Sequence, residues 1–479
     1  MRHRRSTTWK PVSGAPVPDL AVVNGTVVVP GAEPRNADLA ITDGKITGIH
    51  PPGAGEPAGD RIDATGLHVM PGAIDPHIHL GGYQPLDVDA DPGTGLAAIG
   101  GVTCLVNYFK ATGSYLDLVP EYIRTYEAGA HIDAAFHLQL LTEPHLQELA
   151  ETVDRFGITS YKINLAWKGR EQAVFGSDRT IDNGWVWAAM EEMRRIDPER
   201  MVLNIHCENQ ELKNEAHRRN EADVEESLRF YERLAPDFTE TDSVLSMMLL
   251  AKLTGITTYL VHLSSQLTTE ALTLDWADIP NLYGETCPHY LMHTIDSDAG
   301  LLATVSPPVR RQSDQDALWK ALADGRLDAV GSDSNPILRQ TKMGSGEFWS
   351  IKPGFDGVGF IVPSLIDGGY HKRGMPLGRI AQIMAENPAR IFGLFPAKGT
   401  IAVGSDADLV LIDLDRERTV GPEATAAHSD FSIFSGMTLK GWPVTTLSRG
   451  EVVARDGNVV TEPGRGRYVP RPGPTAAER

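Results

Sequence analysis

Over its 479 residues the chain carries 63 acidic against 44 basic side chains, a formal net charge of −19 that repels phosphate backbones and anionic membranes. With 41% hydrophobic and 22% charged residues it has an ordinary globular composition, which excludes disorder as a whole-chain reading. The length suits about two to four average domains, or one large α/β barrel with a smaller module beside it.

The three cysteines, Cys104, Cys207 and Cys287, are far apart and odd in number. They support neither a disulfide framework nor a Cys-type zinc site, and a cytoplasmic, reducing environment is expected. The basic start Met1–Lys10 has no apolar run behind it, and no stretch approaches about 18 consecutive apolar residues. A secretory signal, a membrane partner and a nucleic-acid partner are therefore not expected.

In chain order, Leu20–Val29, Leu39–Ile49 and Leu67–Val69 read as strands, rich in Val, Ile and Thr and broken by the turn pairs Asn24-Gly25 and Asp43-Gly44. The middle alternates. Apolar runs recur at Ala73–Leu80, Val102–Phe109, His131–Leu140, Ile158–Ala166, Val202–Asn209, Thr257–Leu263, Leu282–Tyr290 and Leu327–Asp333. Helix-compatible stretches such as Trp185–Arg195, Ser243–Leu253 and Asp316–Ala323 lie between them. Eight β/α units in one run predict an α/β fold of the (β/α)₈ TIM-type barrel class. Strand patterns return at Ala407–Ile412, Val444–Ser448 and Glu451–Ala454, followed by Asp456-Gly457. Residues 1–70 and 396–460 should thus assemble a small β-sandwich module around a barrel at 71–395, with an extended Pro/Gly/Arg-rich tail at 461–479.

Active sites of such barrels lie at the C-terminal ends of the strands. The first predicted barrel strand closes with His77-Ile78-His79, whose side chains, two apart, share a face and can reach one ion. Lys162 lies on the fourth, where an unpaired inward ammonium is costly unless it reaches the rim, pairs with a carboxylate, or is carbamylated into a carboxylate itself. His206 ends the fifth, His262 the sixth and Asp333 the eighth. Singly, these read as core histidines and a helix cap; jointly, at corresponding strand ends, they supply ligands for two open divalent-metal sites.

These residues lie in segments that resemble the amidohydrolase superfamily, specifically its dihydropyrimidinase/hydantoinase branch. The matching stretches are Pro71–His79, Tyr161-Lys162-Ile163, His206–Asn209, Val261–Ser264, Glu285–Leu291, Ser306-Pro307-Pro308, Gly331-Ser332-Asp333, Glu386–Arg390 and Gly404–Val410. The resemblance implies a binuclear centre, with zinc as the default metal. His77, His79 and Asp333 would hold one ion, His206 and His262 the other, and N6-carboxylated Lys162 and a hydroxide would bridge them. Asp333 would act as general base and then general acid. The expected substrate is a small cyclic amide such as a hydantoin or dihydropyrimidine, and the expected assembly a homo-oligomer, tetramer or dimer.

Three departures bear on the substrate. Relatives place a Tyr five residues after the lysine to meet the developing oxyanion; here it is Trp167, whose indole donates one hydrogen bond or merely walls the pocket. The residue after the catalytic aspartate is Ser334 rather than His, and the loop Lys352–Gly357 lacks the expected Asn. Ser306 matches the segment that grips the ring amide. Lys168–Gly184 is an unusual insertion that could cover the mouth. An allantoinase-like activity is the main rival, because Cys287-Pro288-His289-Tyr290 fits that pattern as well. Dihydroorotase is a less attractive rival, because the chain shows no convincing arginine set to clamp a substrate carboxylate. A non-catalytic scaffold is disfavoured because all six ligand positions are filled.

Overall fold

The computed structural model describes residues 17–55, 58–169, 174, 176–177, 179–274, 279–422 and 429–471. The front of the chain forms β1 (Leu20–Val27), β2 (Arg35–Thr42), β3 (Lys45–His50), β4 (Asp60–Asp63) and β5 (His68–Pro71). The barrel strands follow: β6 (Ala73–Ile78), β7 (Val102–Phe109), β8 (Asp133–Gln139), β9 (Ser160–Asn164), β10 (Val202–His206), β11 (Thr257–Leu260), β12 (Leu282–Thr286) and β13 (Ala329–Val330). The last strands are β14 (Leu409–Thr419), β15 (Thr438–Ser448), β16 (Glu451–Arg455) and β17 (Asn458–Val459).

All eight predicted barrel strands are present, and each pairs in parallel with its sequence neighbour. They are buried along most of their length because helices cover the outside while side chains fill the inside; Val102–Phe109 is buried at all but its last residue. Closure comes from a parallel bridge between Ile78 and Ser334. The Asp333 N–H donates to the His77 carbonyl at 2.8 Å, and the His79 N–H to the Ser334 carbonyl at 2.8 Å. The eighth strand is shorter than its apolar run predicts, because the chain bends inward after Val330. A Cβ on Gly331 would lie 2.5 Å from a Glu285 carboxylate oxygen and 2.8 Å from the His77 Cβ, so only glycine permits that approach.

Strand β5 lies between β1 and β14, so both ends of the chain share one nine-stranded mixed sheet. Leu39, Ile41 and Ile46 from one end share a core with Leu409, Leu411 and Leu447 from the other, which curls the sheet over its own apolar face. The predicted run Leu39–Ile49 is two strands, β2 and β3, turned at Asp43-Gly44 with φ 50° and 74°, the positive pair a tight hairpin requires. Strand β4 was not predicted: Asp60–Asp63 is polar and mostly exposed, and it extends only because it pairs beside β1.

A buried ion cluster joins the sheet to the barrel. The Lys398 ammonium, 2% exposed, contacts Asp133 at 2.8 Å, Asp408 at 2.7 Å and Asp406 at 3.1 Å. The predicted tail returns to the barrel: Tyr468 bridges Ala134, and the buried Arg471 guanidinium donates to the Ser160 hydroxyl at 2.6 Å. Residues 472–479 of that tail lie outside the described residues. Among the described residues no helix is long and apolar enough to cross a membrane.

Candidate active site

The candidate ligands sit where barrel strands give way to loops, with one exception. His77 is the penultimate residue of β6 and His79 follows the strand; His206 ends β10; His262 and Asp333 lie just past β11 and β13. Lys162 is the exception, at the centre of β9. Two of these strand ends are set by helix caps immediately beyond the ligand. The Asn209 side chain accepts from the Leu212 N–H and the Ser265 hydroxyl from the Thr268 N–H, both at 3.1 Å, starting helices Gln210–Asn220 and Gln266–Ala271. His262 and Asp333 both hold left-handed backbone, φ 44° and 49°. That conformation costs a non-glycine residue about 1–2 kcal/mol, and it turns both side chains toward the barrel mouth.

One group forms around Asp333. Its Oδ1 lies 3.1 Å from His77 Nε2 and 3.2 Å from His79 Nε2, and the two imidazole nitrogens are 3.2 Å apart. The His77 ring is oriented from behind: its Nδ1 meets Glu285 Oε1 at 2.7 Å. Glu285 also accepts from the Tyr259 hydroxyl at 2.9 Å and the His262 N–H at 3.0 Å. With its Nδ1–H donated to Glu285, the neutral His77 ring presents the Nε2 lone pair to the group, the arrangement a metal-binding histidine needs.

A second group lies beside the first. The His206 Nε2–H donates to the Glu208 carboxylate at 2.6 Å, and His206 Nδ1 lies 2.8 Å from His262 Nε2. The other His262 nitrogen, Nδ1, is buried without a hydrogen-bond partner. In the metal-free chain one proton lies between His206 Nδ1 and His262 Nε2; its removal leaves two adjacent imidazole lone pairs, a donor set that fits a divalent cation.

Lys162 is 2% exposed, with its ammonium 4.7 Å from the centre of the Tyr108 ring. Among the described residues no carboxylate lies within ion-pair distance of it. Burial pulls its pKa down to about 8, against the pull of Asp333 and Glu285. Burial, with His206 alongside, holds His262 well below the usual histidine range, and burial lowers His79 to about 4. Burial disfavours the Asp333 carboxylate too, but His77 and His79 outweigh it and keep Asp333 ionised. Neutral His79 and His262 and an ionised Asp333 are thus in the protonation states that bind metal, whereas at His77 burial is outweighed by Glu285 and Asp333, which hold it above the usual histidine range, so that ring gives up a proton when metal binds.

All six candidate ligands line one cavity of about 850 Å³, together with Trp167 and Ser306. Trp167 ends a short turn directly after β9, with the Lys110 ammonium 5.4 Å from its ring centre. The Ser306 hydroxyl donates to Glu208 at 2.6 Å and accepts from the Lys213 ammonium at 3.1 Å. Residues 170–173, 175 and 178 of the Lys168–Gly184 insertion lie outside the described residues. Sequence reasoning did not single out Glu285, Glu208 or Tyr259. The one signal for Glu285 is an acid closing the run Leu282-Tyr283-Gly284-Glu285, where burial demands a partner.

The amidohydrolase family matches residues 184–453. A D-hydantoinase of Geobacillus stearothermophilus is 34% identical over 94% of this chain and 96% of that protein. An allantoinase of Rubrobacter xylanophilus is 32% identical over 96% and 99%. Among solved structures, the dihydropyrimidinase of Brevibacillus agri superposes with a TM-score of 0.85 at 31% identity, covering 94% of this chain and 98% of that one.

Proposed function

The chain belongs to the amidohydrolase family, in its hydantoinase and dihydropyrimidinase branch, and hydrolyses cyclic amides; we propose that it does so with two divalent metal ions held at the barrel mouth. The observation that carries this reading is the convergence of His77, His79, Lys162, His206, His262 and Asp333 on one cavity. His77, His79 and Asp333 would hold one ion, His206 and His262 would hold the other, and Lys162, as its N6-carboxylate, would supply a carboxylate to the pair. Imidazole and carboxylate ligands suit zinc, which is the metal we assign. Such ions, when bound, acidify water to hydroxide near neutral pH and polarise the scissile carbonyl.

The chain's own groups do the rest. Asp333 accepts the proton of the attacking water and returns it to the departing ring nitrogen, so one carboxylate is base and then acid. Glu285 and Glu208 fix the tautomers of His77 and His206. The Ser306 hydroxyl is engaged with Glu208 and Lys213, which leaves the Ser306 backbone to meet the ring amide. Trp167 lines the same cavity and takes the sequence position of the hydantoinase tyrosine, where it either donates its indole N–H to the oxyanion or walls the pocket.

The test is a panel of dihydrouracil, hydantoins, allantoin, cyclic imides and dihydroorotate, assayed with divalent metal and bicarbonate. Ring opening of dihydrouracil or a hydantoin is the expected result; opening of none of them contradicts the reading. Allantoin is the second substrate of interest, because the Rubrobacter relative is named an allantoinase and Trp167 departs from the hydantoinase pattern. On the active ring, Trp167→Phe should lower kcat by up to about 10²–10³-fold if the indole donates to the oxyanion. A change confined to KM would make Trp167 a wall residue. Trp167→Tyr should preserve or raise hydantoin and dihydrouracil turnover.

Three buried free thiols fit a reducing cytoplasm. We also propose a homo-oligomer, tetramer or dimer, which light scattering of the purified chain would establish.

A further inference from the structure

Lys342 lies in the short helix Arg339–Met343, in a segment whose sequence reads as polar surface. Its side chain is fully buried. The ammonium donates to three backbone carbonyls: Thr304 at 2.9 Å, Lys352 at 3.1 Å and Gly354 at 2.8 Å. No carboxylate lies within ion-pair distance among the described residues, and the nearest aromatic face recorded is Phe355, with its centre 5.6 Å away. An ammonium has three protons, and here each has an acceptor. Burying a cation without a counter-ion is costly, and burial pulls this lysine down to about 7. A hydrophobic side chain would fill the space at no such cost, but it would leave the Lys352 and Gly354 carbonyls without this donor and the Thr304 carbonyl with only a long bond from the Gly354 N–H.

Those carbonyls belong to two segments far apart in sequence that meet at the active-site cavity. Val305 and Ser306 line it from one segment, and Pro353 and Gly354 from the other. Direct bonding between the segments is thin: the Gly354 N–H reaches the Thr304 carbonyl at 3.4 Å. The Tyr83 hydroxyl adds a bond from the cavity side, to the Pro353 carbonyl at 2.7 Å. We propose that Lys342 is a positioning residue: it ties the Thr304–Ser306 segment to Lys352–Gly354 and so fixes the backbone wall against which the substrate ring sits. The proposal rests on the reading of this cavity as the ring-binding site. Lys342 does not line the cavity. Its effect reaches substrate only through the two segments.

Lys342→Met tests this by hydrogen exchange and steady-state kinetics on the metal-loaded enzyme. Amides of residues 304–306, 352, 354 and 355 should exchange at least about tenfold faster, while those of the histidine-bearing strand ends do not change. KM should rise roughly tenfold, with kcat and metal content held within about twofold. Lys342→Arg, which keeps the charge, should recover part of the exchange protection and part of KM. Unchanged exchange in both segments overturns the proposal, and so does a fall in kcat or metal content with KM held. If Lys342→Met does not fold, Lys342→Gln, which keeps two donors, is judged by the same criteria. The exchange measurement needs no substrate. A wild type that opens no ring therefore counts against the functional reading, while the exchange result still decides the role of Lys342.

Discussion

Lys162→Ala should lose most of its bound metal and nearly all turnover while remaining folded. The side chain is buried among groups proposed as ligands, and without its carboxylate two cations would face each other unscreened. The loss in metal affinity should exceed the roughly 10–100-fold that follows removal of an outer hydrogen-bond partner of a ligand. Stability separates this from a packing defect. In the metal-free chain Lys162 is a buried cation without an acid partner among the described residues, so Lys162→Ala should leave metal-free thermal stability unchanged or higher. Added short carboxylic acids should restore part of the activity by occupying the vacated space. Metal analysis, thermal melts with and without chelator, and acetate or propionate rescue check these outcomes. Retention of full metal and normal turnover would remove the carbamate from the account.

Asp333→Asn should bind substrate and turn it over about 10²–10⁴-fold more slowly, the usual contribution of a positioned general base and acid. The carboxamide keeps the shape but cannot take a proton. Asp333 Oδ1 also contacts His77 and His79, so metal content has to be measured beside the rate. Full metal with near-normal turnover would leave Asp333 as a ligand without a proton-transfer role.

The barrel was legible because its strands are buried on both faces, so Val102–Phe109 or Val202–His206 reads as a continuous apolar run whatever surrounds it. Strand β4 carries no such run; its extension depends on β1, which a local pattern does not contain. The need for glycine at 331, just past β13, depends likewise on distant residues, because a side chain there would meet Glu285 and His77. The six candidate metal ligands stand out in the sequence for a different reason, whereas Trp167 and Ser306 were singled out through the family resemblance alone. A histidine or aspartate at the end of an apolar run is conspicuous, and four strands bear one, with Lys162 inside a fifth. Glu285, Glu208 and Lys342 escaped because their roles exist only through contacts across the fold. Glu285 reaches His77 over 208 positions, and Lys342 reads as one more polar residue in Arg339–Met343 until its three carbonyl partners are seen.

The central claim is that ring opening depends on a metal pair held by this one cavity. The most direct measurement is turnover of the best cyclic amide as chelated enzyme is titrated with zinc in the presence of bicarbonate, with bound metal counted at every point. The account predicts negligible activity without metal and a rise that saturates near two ions per chain. Full turnover in the chelated enzyme, or saturation with no metal bound, would contradict it.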